Sequence, residues 1–117
     1  MVIQVNTDKN IAGGGELPGQ VEAVVEAALG RFGDRITRVE VYLTDESSSR
    51  KSRHNDKRCV MEARLAGLKP ITVSHQGASV EHALAGAADK LEKTIDRTLG
   101  RLEDPKGRTP YGGDQTT

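Results

Sequence analysis

The chain has 117 residues and a mass of 12.6 kDa, which is enough for one small domain. It carries 17 basic and 17 acidic side chains, and leucine, isoleucine, valine and phenylalanine make up about 21% of it, so we expect a thin hydrophobic core. A large enzyme, a collagen-like fibre and a membrane protein are excluded, since no apolar run approaches the roughly 18 residues of a spanning helix. The chain opens without a basic and then apolar leader, and its single cysteine, Cys59, has no partner for an internal disulfide, which together favour the cytoplasm.

The first half of the chain predicts a strand, a helix and a second strand. Residues 2–6 are a short run rich in β-branched side chains, which favours a strand. Over residues 17–32 apolar side chains recur at helical spacing, Pro18 suits the first turn, and Gly33 is predicted to end the helix. Apolar and polar residues then alternate over 36–43, which is the pattern of a half-buried strand.

The second half predicts two more strands and a long helix. Residues 44–56 contain no apolar side chain and are predicted to form a loop. Strands follow over 59–65, where alternation resumes, and over 70–75, where the leading proline favours an edge position or a strand start. Ser79 is the predicted N-cap of a helix whose apolar face extends to Leu102.

This order of elements, β-α-β-β-β-α, predicts an α+β domain over residues 1–103, with one four-stranded sheet and two helices packed on one of its faces. Residues 104–117 contain two prolines, three glycines and one isolated tyrosine, so we predict a disordered C-terminal tail. The sequence shows no internal repeat and no second domain.

The charges segregate along the chain. Residues 1–49 hold four basic and eight acidic side chains, a net charge of −4, whereas residues 50–117 hold thirteen basic and nine acidic side chains, a net charge of +4. Such asymmetry favours a polyanionic partner, although chance segregation in a small soluble protein would give the same pattern.

The predicted second helix separates its charges into two stripes. At about 100° per residue, its basic side chains follow one edge of the helix for about 16 Å, and its acidic side chains lie on another flank. The basic stripe consists of Lys90, Lys93, Arg97 and Arg101, and the acidic stripe consists of Glu81, Asp89, Glu92, Asp96 and Glu103. Polyanion binding and a solvated helix with internal ion pairs explain this pattern about equally well.

A second basic cluster lies in the predicted loop and directly after it. Long cationic side chains are what phosphate contacts require, because neutralised phosphates release their counterions. Five such residues lie close together, offset only by Asp56: Arg50, Lys51, Arg53, Lys57 and Arg58. A solvated loop is the commoner role of such a run. Aromatic residues are nearly absent, so we predict that any RNA is recognised through its backbone and shape rather than by stacking on bases.

The sequence contains no complete motif for catalysis or cofactor binding. Gly14 and Gly19 are spaced as in a phosphate-binding loop, but Gln20 and Val21 stand where lysine and serine or threonine are required. Strand alternation directs Cys59 inward, no further cysteine or histidine is spaced for zinc, and no histidine accompanies a recognisable nucleophile. We therefore predict a protein that is not an enzyme and that uses no metal, no cofactor and no small-molecule substrate.

Three segments resemble the hibernation promoting factor / RaiA (protein Y) family. They are residues 34–43 (DRITRVEVYL), residues 56–64 (DKRCVMEAR), which are similar to a proteobacterial branch, and above all residues 89–97 (DKLEKTIDR). The resemblance covers residues 2–102 together with the β-α-β-β-β-α order. It implies a bacterial ribosome-associated protein that lies on the small ribosomal subunit, occupies the path of messenger and transfer RNA, and silences ribosomes under stress.

By matching position, the resemblance implies that Lys90, Lys93 and Arg97 contact ribosomal RNA, with Arg101 extending their stripe. Family members typically carry lysines in the first helix, whereas here that helix is acidic and Arg31 is its first basic residue. The second, dimer-forming domain of long family members is missing, so pairing of ribosomes by that route is not expected.

An alternative of a different class remains open. The same fold could serve as a protein-interaction module that has lost ribosome binding and binds a basic protein. Its acidic first helix and the edge formed by Glu81, Asp89 and Asp96 would then form the contact surface. A continuous surface joining the basic loop to the basic stripe would favour RNA instead.

Overall fold

The computed structural model describes residues 1–8, 17–45 and 57–103, with side chains up to Arg101. The predicted α+β fold and its order of elements are confirmed, whereas the predicted tail over residues 104–117 lies outside the described residues. The elements are β1 (Val2–Thr7), α1 (Leu17–Leu29), a 3-10 turn (Gly30–Arg35), β2 (Ile36–Asp45), β3 (Lys57–Leu65), β4 (Ile71–Gly77) and α2 (Val80–Glu103).

The four strands form one sheet in the order β1-β2-β3-β4. β1 and β2 are parallel, because α1 carries the chain back between them, and the β2–β3 and β3–β4 pairs are antiparallel. β4 is therefore an edge strand, as Pro70 indicated. Pro70 lies just before the first paired residue of β4, where its missing N–H takes no bond from the sheet.

The core lies between one face of the sheet and both helices. Alternation along β2 and β3 turns every second side chain inward, and fully burying a side chain of leucine or isoleucine size contributes about 1.5–3 kcal/mol. The sheet contributes Val39, Val41, Leu43, Cys59, Met61 and Ala63, α1 contributes Val21, Val25 and Leu29, and α2 contributes Leu91 and Ile95, all fully buried.

The first helix ends earlier than its apolar spacing predicts. α1 stops at Leu29, and the 3-10 turn that follows still buries Phe32. Gly33 lies inside that turn at φ +59°, a backbone conformation that glycine adopts without the steric penalty of a Cβ atom. Gly33 therefore ends the helical run, as predicted, but the α-helix itself stops at Leu29 because residues 30–32 form a 3-10 turn that continues the apolar spacing.

The strands beside the predicted 44–56 loop extend into it. β2 continues to Asp45, and Thr44 and Asp45 pair with Arg58 and Lys57 of β3. Lys57 Nζ lies 3.6 Å from Asp45 Oδ2. The polar composition of Thr44 and Asp45 predicted a loop, but main-chain pairing with β3 and this ion pair hold them in the sheet.

α2 begins directly after β4 and packs closely along it. Ser79 is the N-cap, as predicted, and its Oγ accepts a hydrogen bond from the His82 main-chain N–H at 3.1 Å. The imidazole of His75 on β4 lies against Gly86, where a Cβ atom would come within 2.0 Å of the ring. The rings of His75 and His82 stack with 5.9 Å between their centroids. These contacts fix the position of α2 over the edge of the sheet.

Candidate nucleic-acid interface

The two flanks of α2 face different parts of the molecule. On one flank, Arg31 of the 3-10 turn bonds to Glu92 and Asp96 of the acidic stripe. On the other flank, Lys90 Nζ donates a hydrogen bond of 2.8 Å to the main-chain oxygen of Ser74 on β4. Because β4 is an edge strand, Lys90 places the basic stripe on the side of α2 that follows the open edge of the sheet, whereas Glu92 and Asp96 of the acidic stripe face the 3-10 turn.

The four residues of the basic stripe are all exposed but differ in their partners. Lys90 is engaged by Ser74, and Lys93 Nζ lies 3.0 Å from Asp89 Oδ2 one turn earlier. Within the part of the chain that the structure describes, Arg97 and Arg101 make no hydrogen bond or ion pair. The C-terminal half of the stripe therefore offers two guanidinium groups that a ligand could bind without displacing a protein partner.

The acidic flank is partly used inside the molecule. Arg31 Nη2 lies 3.2 Å from Glu92 Oε2 and 3.5 Å from Asp96 Oδ1, and its guanidinium carbon lies 4.3 Å from the centre of the Phe32 ring. Arg31 is 54% exposed, and such ion pairs contribute about 0–1 kcal/mol each. They still neutralise part of the acidic stripe, which favours RNA over a basic protein as the partner of α2.

The basic loop cluster is only partly described. Three of its five predicted residues lie outside the described residues: Arg50, Lys51 and Arg53. Lys57 pairs with Gly77 at the end of the sheet where α2 begins, whereas Arg97 lies about 25 Å further along the helix. Lys57 and Arg58 are consecutive in β3, so they point to opposite faces of the sheet, and both have partners in the protein. The described residues thus do not join this cluster to the basic stripe in one surface.

Lys69, which lies between β3 and β4, is a further exposed cation. It lies two residues before the start of β4, whereas Arg101 follows Lys90 by eleven helical positions, or about 16 Å along α2. α2 runs back along β4, which places Lys69 at the same end of the sheet as Arg101. A lysine in a turn carries no sequence signal that distinguishes this position.

On the open face of the sheet, opposite the helices, charged and polar side chains bond to one another. Arg38 Nε donates to Glu40 Oε2 at 2.8 Å and also hydrogen-bonds Gln4, and Tyr42 Oη donates to Glu40 Oε1 at 2.5 Å. The hydrogen bond from Tyr42 and then that from Arg38 lower the pKa of Glu40. The same bond to Glu40 raises the pKa of Tyr42. This network makes the open face a weaker candidate for phosphate binding than the basic stripe.

No reactive or metal-binding cluster appears in the described ranges. Cys59 is fully buried, as predicted, and desolvation raises the pKa of its thiol to about 12. Among residues 1–8, 17–45 and 57–101, no three histidine, cysteine, aspartate or glutamate side chains could hold a metal ion together. None of the helices in these ranges is long and apolar enough to cross a bilayer.

Two solved structures share this fold. The N-terminal domain of Protein Y from Thermus thermophilus superposes with a TM-score of 0.65 and is 20% identical, and the match covers 84% of this chain and 99% of that chain. A ribosomal subunit interface protein from Coxiella burnetii superposes with a TM-score of 0.64 and is 14% identical, with 86% of this chain and 99% of that chain covered. At these identities the likeness shows the fold alone. No curated protein matches the chain.

The family follows from the sequence match. The sequence model of the family described as Sigma 54 modulation protein / S30EA ribosomal protein matches residues 7–103, which is most of the chain. The chain belongs to this family of ribosome-associated proteins. The resemblance stated from residues 34–43, 56–64 and 89–97 is confirmed.

Proposed function

We propose that this protein is a cytoplasmic ribosome hibernation factor that binds the RNA of the small ribosomal subunit through the basic stripe of α2. In the proposed mechanism it blocks the path of messenger and transfer RNA under stress. The observation that carries the proposal is the pair Arg97 and Arg101, which are exposed and without a partner in the described residues, in a chain of a ribosome-associated family.

Arginine suits this role because its planar guanidinium group donates two parallel hydrogen bonds to phosphate oxygens. Neutralising RNA phosphates also releases condensed counterions, which supplies affinity without reading the base sequence. Arg97 and Arg101 are one helical turn apart and so point the same way, about 6 Å apart along the axis. That separation is short enough for neighbouring phosphates of one RNA strand.

Inhibition by this route is steric. The hydrophobic core and the tight β4–α2 contact make the domain a rigid body, so charges on α2 hold the whole sheet wherever the helix docks. No catalytic residue is needed for such a block. The first helix exposes the acidic side chains Glu22 and Glu26, which repel phosphate. The phosphate contacts are therefore made by α2 in this proposal.

The proposal is tested by cosedimentation of charge-reversal variants with small ribosomal subunits. We expect Arg97→Glu and Arg101→Glu each to weaken binding by about 10-fold, since one phosphate contact is lost and one repulsion is added. Arg64→Glu is the matched control: it makes the same charge change at an exposed arginine on the open face of the sheet. We expect Arg64→Glu to bind within about 2-fold of the unmodified protein.

Equal binding of the Arg97→Glu, Arg101→Glu and Arg64→Glu variants would overturn the assignment to the basic stripe. If binding instead fell on reversal of Glu22 or Glu26 in α1, the partner would be a basic protein. Inhibition of translation in a purified system should follow the same order of variants as binding.

A further inference from the structure

A cleft lies between the 3-10 turn and the last turns of α2, on the opposite flank from the basic stripe. Its volume is about 340 Å³, and it is lined by Arg31, Phe32, Arg35, Asp96, Leu99 and Gly100. Phe32 and Leu99 are each 8% exposed and form an apolar floor. The two arginines and Asp96 surround that floor with both signs of charge.

The arginines of the cleft supply the chemistry of phosphate recognition. Arg31 and Arg35 are four residues apart on either side of the kink at Gly33, and both side chains line the cleft. Arg31 bonds to Glu92 and Asp96, and Arg35 has an interaction of its own within the protein. A ligand must compete for these groups. The Arg31 ion pairs are exposed and therefore weak, so a phosphate with up to two negative charges can replace them.

Asp96 and the apolar floor further restrict the kind of ligand that the cleft can bind. The Asp96 carboxylate is 62% exposed and would repel a bare phosphate ion, but it accepts hydrogen bonds from N–H donors such as those of a nucleobase. The Arg31 guanidinium covers the Phe32 ring at 4.3 Å from its centre, so a flat apolar ring can lie on Phe32 and Leu99 once Arg31 turns toward the bound phosphate. The volume is at the lower end of the roughly 300–1,000 Å³ of ligand pockets, which fits one nucleotide and is too small for two.

We propose that this cleft binds a single nucleotide, with its phosphate on Arg31 and Arg35, its base over Phe32 and Leu99, and base N–H groups on Asp96. The ligand is either a free nucleotide or one unpaired nucleotide of an RNA strand. This site goes beyond the proposed function, because it lies on the other flank of α2 and does not need the basic stripe.

The test is isothermal titration of the full chain with inorganic phosphate, with GMP, AMP, CMP and UMP, and with a short unstructured RNA. We expect saturable binding of at least one mononucleotide or of the RNA, at least 10-fold tighter than that of inorganic phosphate. Binding of a mononucleotide identifies a free nucleotide as the ligand, and binding of the RNA alone identifies a nucleotide within a strand.

Two variants test the location independently. Arg35→Gln removes a phosphate donor, and Gly100→Leu adds bulk at the wall of the cleft without changing charge. No atom lies within 4 Å of a Cβ atom built at Gly100, so the larger side chain has room and leaves the helix intact. We expect each variant to lose at least 10-fold in affinity, and Asp96→Asn to change the ranking of the four mononucleotides.

Arg64→Gln, on the open face of the sheet, is the control and should bind nucleotides as the unmodified protein does. The Arg97→Glu and Arg101→Glu variants should also keep nucleotide binding while losing ribosomes, which separates this proposal from the ribosomal one. The proposal is wrong if neither mononucleotides nor the RNA bind, or if both Arg35→Gln and Gly100→Leu bind them normally.

Discussion

At the scale of single residues, position in the fold decides which reactive groups are available. Cys59 is the single thiol of the chain, and alternation along β3 places it in the core beside Met61 and Leu43. The surrounding apolar side chains cannot solvate a thiolate, which is why its pKa rises to about 12. A cysteine whose side chain pointed to the opposite face of β3 would be more accessible to solvent.

We predict that Cys59 in the folded protein reacts with a thiol reagent such as DTNB at pH 8 at least about a thousandfold more slowly than in the urea-unfolded chain. The raised pKa alone lowers the thiolate fraction by that order, and burial further limits access. Reaction with both forms at similar rates would show that the thiol is exposed.

Because the pKa of Cys59 is raised, the free energy of unfolding depends on pH in the alkaline range. The folded protein keeps the thiol proton up to about pH 12, whereas the unfolded chain loses it near pH 9, so the free energy of unfolding falls as pH rises between these values. Cys59→Ala should flatten this part of the pH profile in urea denaturation, apart from a constant offset for the lost packing.

At the scale of elements, the contact between β4 and α2 depends on a glycine. Gly86 faces the His75 ring, and a Cβ atom at that position would overlap three ring atoms, at 2.0, 2.3 and 2.5 Å. Helical propensity alone would favour alanine there by about 1 kcal/mol. The close approach of helix and strand explains why glycine stands in the middle of a 24-residue helix.

We predict that Gly86→Ala lowers the free energy of unfolding by about 1–3 kcal/mol, because overpacking outweighs the gain in propensity. Gly100→Ala is the matched control in the same helix, with no atom within 4 Å of the added Cβ, and should stabilise by up to about 1 kcal/mol. Urea unfolding followed by circular dichroism gives both values.

A double variant tests whether overlap with the His75 ring causes the loss of stability in Gly86→Ala. If the overlap with the imidazole is responsible, His75→Ala should be less costly in the Gly86→Ala background than alone. Additive effects would show that Gly86 is needed for a reason other than the His75 ring.

At the scale of the whole molecule, a net charge of zero conceals a divided surface. The sequence divides into halves of −4 and +4, and α2 separates its own charges onto two flanks of the folded domain. In the proposed binding to RNA, a neutral protein gains little from long-range attraction, so local contacts would have to supply the affinity. Such contacts still release counterions one by one.

We predict that the logarithm of the ribosome-binding constant falls linearly with the logarithm of salt concentration, and that Arg97→Gln/Arg101→Gln makes the slope shallower by about 1.4–1.8. Each phosphate contact contributes about 0.7–0.9 to that slope. Arg64→Gln should leave the slope unchanged. A wild-type affinity independent of salt would contradict binding through phosphates.

The order of elements, the inward side of each strand and the division of charges on α2 were all predictable from the sequence. These features depend on the periods of strand and helix, which are local and persist in any packing of the chain. The end of α1 was not predictable in the same way, because a 3-10 turn continues its apolar spacing up to Phe32.

Which charges have partners, and where a cleft forms, depends on how the elements pack together. Lys90 is engaged by Ser74, Arg31 by Glu92 and Asp96, and no described residue pairs with Arg97. The cleft joins residues 31–35 to residues 96–100. More than sixty positions separate these two segments in the chain, and periodicity within either of them carries no information about their distance in space. Local periodicity in the sequence sets which faces of this protein are charged, and the packing of α2 between β4 and the 3-10 turn sets which of those charges remain available to a ligand.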